Sequence, residues 1–128
     1  MPGTTQVVSI TGRQTTASPV EETLLLSEDR AAPAASLSVP PQTTLIISDV
    51  DCGIANGGHL VLRLEQDNGV GFYTIARIKA ESTVLAKPKV AWVIDGNAGV
   101  AVLFRVQIQT PDVKSADITC TIRAYREF

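Results

Sequence analysis

Apolar and polar side chains alternate with a period of two through the last part of the chain. Across 102–109, Val102, Phe104, Val106 and Ile108 fall on one side, and Arg105, Gln107 and Gln109 on the other. Across 117–125, Ile118, Cys120, Ile122 and Ala124 alternate with Thr119, Thr121 and Arg123. Successive side chains of a strand point to opposite faces, so this period predicts antiparallel strands with one buried and one wet face. Leu60, Leu62 and Leu64 repeat the pattern across 59–65, and further strands are expected at 44–50, 72–78 and 90–94. Gly-rich Asn56-Gly57-Gly58 marks a turn, and Asp67-Asn68-Gly69 and 95–99 read as hairpin turns, because Asn and Gly tolerate positive φ. Helix signals are nearly absent. Short strands at this spacing predict an all-β fold, an antiparallel two-sheet sandwich of jelly-roll type. Its core is expected to include Leu60, Leu62, Leu64, Phe104, Val106, Ile118 and Ile122.

Residues 1–42 read differently. They hold Pro2, Pro19, Pro33, Pro40 and Pro41, no aromatic residue and no lysine. Two short apolar pieces interrupt them, Val7 to Ile10 and Leu24-Leu25-Leu26. The expected organisation is therefore an extended Pro-rich arm over 1–42, with one or two short strands, followed by a sandwich domain over 43–128. Residues 1 to 36 or so are expected to add little to the isolated fold.

The chain has 128 residues, 45% hydrophobic and 19% charged, which suits one globular domain. The net charge is −2, with Lys and Arg scattered singly, so nucleic acid is not an expected partner. The apolar runs are too short to span a bilayer and the first residues lack a signal-peptide pattern, so neither membrane nor secretion is expected. Cys52 and Cys120 lack metal-type spacing. Cys120 reads as a small buried apolar side chain, and the sequence leaves open whether the two pair.

Candidate chemistry is sparse. His59 is the single histidine, whereas a metal site on strands needs several converging ligands. No nucleophile motif accompanies it. Asp49 with Asp51, and Asp95 with Asn97, lack the spacing of a calcium loop and read as solvated turn carboxylates. No catalytic residue, metal or cofactor is expected. Tyr73 and Trp92 are the residues a carbohydrate-binding module would use for stacking, although Trp92 sits in a run apolar on both faces.

That double apolarity carries the functional expectation. Leu45 and Ile47 oppose Ile46 and Val50, and Trp92 and Ile94 oppose Ala91 and Val93. A second apolar face implies a further covering layer, often another subunit. Leu24, Leu25, Leu26, Leu45, Ile47 and Trp92 are the expected contact residues. The arm, the segment 38–47 leading into the first core strand, and the closing strand 116–125 together resemble the small jelly-roll decoration proteins of tailed bacteriophages. That resemblance implies a non-enzymatic homo-oligomer, a trimer, that binds the major capsid protein or another virion protein. It would be assembled in the host cytoplasm and sit on the virion surface. The alternatives are a carbohydrate-binding module and a fibre or spike receptor-binding head.

Overall fold

The computed structural model describes residues 5–17, 20–55, 57–81, 83–89, 91–96, 102–111 and 115–128. The described residues form strands and no helix. In chain order they are β1 (Thr5–Ala17), β2 (Glu22–Thr23), β3 (Leu25–Glu28), β4 (Leu37–Val39), β5 (Thr44–Ile54), β6 (His59–Asp67), β7 (Phe72–Glu81), β8 (Thr83–Ala86), β9 (Trp92–Asp95), β10 (Val102–Gln109) and β11 (Ser115–Glu127). One sheet runs β3-β1-β11-β5, and β8 and β9 share the outer edge of β5. The other runs β10-β6-β7, with β2 and β4 sharing the free edge of β10. Every pairing is antiparallel.

The two sheets pack as a β-sandwich, and the alternating positions form its core. Leu60, Leu62, Leu64, Phe104, Val106, Ile118 and Ile122 are all buried in one cluster. The β6–β7 hairpin turns where Asp67-Asn68-Gly69 predicts it. The Asp67 carboxylate accepts from the Gly69 and Gly71 amides at 2.6 and 3.0 Å, and both glycines have positive φ. Those bonds, Gly69 first, hold the Asp67 pKa below its usual value. The segment 95–99 does not make the expected hairpin. β9 pairs with β5 in one sheet and β10 with β6 in the other, so this connection crosses between sheets; residues 97–99 lie outside the described ones.

The arm is a correction. Residues 1–42 contribute β1, β2, β3 and β4, and β1 pairs with β11 over its whole length, Thr5 with Glu127 through Ala17 with Ser115. Val8, Ile10, Leu24, Leu26 and Val39 enter the core. Polar composition on the outer positions of β1 hid this, because its apolar inner positions are few. At Gly12 the inner position carries no side chain, since a Cβ there would lie 2.4 Å from Leu24 Cδ2 and 2.7 Å from its Cγ. Leu24 fills that space, and forcing a methyl into it would cost about 1–3 kcal/mol.

Cys52 and Cys120 face each other across β5 and β11 and form a disulfide beside Gly12, which pairs with Cys120. The bond closes a loop with a sequence separation of 68. A loop of that size removes about 4 kcal/mol of unfolded-chain entropy. At the opposite end, Arg126 points inward from β11, ion-pairs with Glu28 of β3 and reaches the Ser38 carbonyl of β4 at 3.4 Å, tying the two sheets together.

Burying Val8, Ile10, Leu24 and Leu26 is worth about 1.5–3 kcal/mol each. Together that is comparable to the whole stability of a small domain, about 5–15 kcal/mol. A chain beginning at Ser36 is therefore expected to show no cooperative thermal transition by circular dichroism. A transition at the full-length midpoint would return these residues to the status of an arm.

Candidate interaction surfaces

The outer face of the β1 sheet is set by a bulge. The register between β5 and β11 slips between Arg123, opposite Asp49, and Ala124, opposite Ile47. Ser48 is the extra residue, and its hydroxyl donates to the Arg123 carbonyl at 2.9 Å. An extra residue reverses the parity of a strand. Leu45 and Ile47 before the bulge, and Val50, Cys52 and Ile54 after it, therefore all face the core. Ile46 alone of this run faces outward. It is 8% exposed yet stands apart from the core cluster, flanked across the ladder by Tyr125 and Val93.

The expected contact residues are accordingly redistributed. Leu24, Leu26, Leu45 and Ile47 are buried inside a single chain and offer no surface to another subunit. Trp92 pairs with Ile47 and packs partly buried against the core. Leu25 remains on the outside, at 41% exposure. What the ladder gathers instead is an outward row across β1, β11, β5 and β9: Val7, Tyr125, Ile46 and Val93. Val7 is 84% exposed and Val93 49%. A shallow depression of about 450 Å³ adjoins it, bounded by Val7, Ser9, Ser48, Arg123 and Tyr125. Polar rows border the apolar one. On one side lie Ser9, Arg123 and Asp49, the last two bridged at 2.5 Å. On the other lie Thr5, Glu127, Thr44 and Asp95, with Thr44 donating to Asp95 at 2.8 Å.

The outer face of the β10 sheet is ionic. Glu65 of β6, its side chain 4% exposed, accepts from Arg105 Nε at 2.7 Å and lies 3.2 Å from Arg63. Arg63 also forks onto both carboxylate oxygens of Glu21. That bond, ahead of the other influences, raises the Arg63 pKa above its ordinary value. Arg105 lies 3.8 Å over the Phe72 ring. Two arginines and two carboxylates thus neutralise each other, and this part of the face presents a closed network. Beyond it, toward the start of β6, an open groove of about 490 Å³ is lined by His59, Val61, Arg77, Lys79, Glu81 and Gln109.

The residues singled out for chemistry do not converge. His59 is exposed at the groove and pairs across the ladder with Glu81. Asp49 is engaged by Arg123, Asp51 is exposed two residues further along β5, on the sheet opposite His59, and Asn97 lies outside the described residues. Among the described residues no three His, Cys, Asp or Glu side chains gather as a metal-ligand set. The Tyr73 hydroxyl accepts from Gln66 at 2.5 Å and Asn68 at 3.0 Å at the hairpin end of the β10 sheet, whereas Trp92 belongs to the other sheet. The two do not form one stacking platform. Comparisons with family models, curated proteins and solved structures return no match.

Replacing Glu65 by Ala would leave Arg63 and Arg105 facing each other without their shared counter-charge. Breaking a largely buried pair in this way is expected to cost about 3 kcal/mol. Urea unfolding should show that loss with little dependence on added salt, because the carboxylate is screened from solvent. A loss below about 0.5 kcal/mol, the scale of an exposed ion pair, would mean that the network is solvated.

Proposed function

We propose that this chain is a non-enzymatic structural protein of a virion surface, bound as a homo-oligomer to a capsid or another virion protein. The observation that carries this reading is the strand order. Setting aside β3, which adds a fifth strand at the edge beyond β1, and taking β2 with β4, and β8 with β9, as interrupted single strands, each sheet keeps four strands. One alternates the first, last, third and sixth of these strands, and the other the second, seventh, fourth and fifth. We read those four-strand orders as a jelly roll's, an architecture common in capsid proteins and lectins. The disulfide supports a place exposed to oxidising surroundings, of which a released virion is one. The row of Val7, Tyr125, Ile46 and Val93 supports a surface meant to be covered.

A second reading, glycan recognition by a receptor-binding head or carbohydrate-binding module, draws on the groove beside His59, where Arg77, Lys79, Glu81 and Gln109 surround the apolar floor of Val61. Tyr73 and Trp92 would not be its platform.

Antibodies to the chain are expected to label particles purified from lysates of cells carrying its gene, and the chain should sediment with those particles through a sucrose cushion. Recovery only in the soluble fraction would overturn the virion reading. A glycan-array signal lost on Arg77→Ala, in a variant that keeps its thermal midpoint, would favour the second reading instead.

A further inference from the structure

We infer that the outer face of the β1 sheet is a two-fold contact with a second copy of this chain, its axis running along the row of Val7, Tyr125, Ile46 and Val93. The inference shares the homo-oligomer with the function proposed above, but does not depend on a virion. It replaces a three-fold order, which came from the resemblance alone, with an order set by named residues.

The face is self-complementary about that row. Two sheets stacked face to face keep their strands roughly aligned. Rotating one copy by half a turn about the apolar row leaves each strand over its own equivalent and exchanges the two bordering rows. Tyr125 then meets Tyr125, and Ile46 meets Ile46. On β11, Arg123 and Glu127 lie two residues to either side of Tyr125, so Arg123 of each copy comes over Glu127 of the other. The contact closes with two such pairs, as an isologous interface must. Arg123 is free to reach across. Its side chain is 55% exposed, and one nitrogen is taken by Asp49, which leaves further donors of the guanidinium fork for a second carboxylate. The charges repeat the pattern toward the sheet edge. Lys87 is exposed directly after Ala86, whose partner is Val50, and Asp95 is exposed on the opposite border. A border carrying Glu127 and Asp95 thus meets one carrying Arg123, Lys87 and Asp49, net acidic against net basic.

The other outer face offers no comparable match, because Glu21, Arg63, Glu65 and Arg105 already satisfy one another. The size of the contact sets its strength. Three rows on four strands cover about 20 Å by about 20 Å at ordinary strand spacing. That is roughly 400 Å² per copy, below the roughly 800 Å² per partner of a standard stable interface. The dimer is therefore weak and concentration-dependent.

The test is sedimentation equilibrium of the full chain from about 1 μM to about 1 mM, a span of about 4 kcal/mol in association free energy at the weak end of the scale. A monomer–dimer equilibrium is expected. Arg123→Glu and Glu127→Arg should each weaken it by about tenfold or more, and the double reversal should restore most of the loss. Arg123→Glu also sets a carboxylate beside Asp49, so Val7→Asp serves as a second probe. Val7 is largely exposed within one chain, and this change should abolish the dimer while leaving the thermal midpoint in place. A monomer throughout the range, a trimer, a dimer that Val7→Asp leaves intact, or a double reversal no better than either single change would each overturn the inference. Particle labelling is read on lysates and association on the purified chain, so the two proposals fail separately.

Discussion

The ladder between β1 and β11 is the constraint on which the rest of the molecule depends. It joins the first described strand to the last over thirteen residue pairs. Because β11 also pairs with β5, the closing strand lies in the middle of its sheet, between partners from the start and the middle of the chain. All intervening chain must then wrap between the two layers. The disulfide pins one flank of β11 and the Arg126–Glu28 pair closes the other end of the sandwich. Such long-range pairing pays loop-closure entropy before contacts repay it, and folds of this kind form slowly.

The same ladder builds the outer face. Val7 comes from the first strand, Tyr125 from the last, and Ile46 and Val93 from the middle of the chain. No local stretch of sequence contains this row, yet it is the most continuous apolar feature of that face. The second sheet presents charge, arranged to satisfy itself, with a groove at one end. The molecule thus has two chemically distinct sides, one crossed by an apolar row and the other largely ionic.

Legibility in the sequence followed the regularity of each strand. Residues 60–64, 102–108 and 118–124 alternate without interruption, and their inner positions are the core. The run 44–54 contains a bulge. Counting by twos through it puts Val50 on the same side as Ile46, while Ser48 shifts both Leu45 and Val50 inward. Of the doubly apolar runs, Ile46 and Val93 face out, whereas Leu45, Ile47 and Trp92 face in. The strands within 1–42 are hidden for a different reason. They carry Ser, Thr and Gly where packing is shallow or where Leu24 supplies the bulk over Gly12, so local composition resembles a linker. The disulfide depended on register between residues far apart in sequence, which spacing does not encode. The groove at His59 depended likewise on bringing β6, β7 and the end of β10 together.

Backbone amide hydrogen exchange of the full chain, resolved by residue, tests the central claim that the first strand is a wall of the sandwich. The account predicts that ladder amides of β1, from Val8 to Gln14, exchange as slowly as those of β11 and β5, through the same global opening. Exchange of the β1 amides at free-chain rates, while β5 and β11 stay protected, would contradict it.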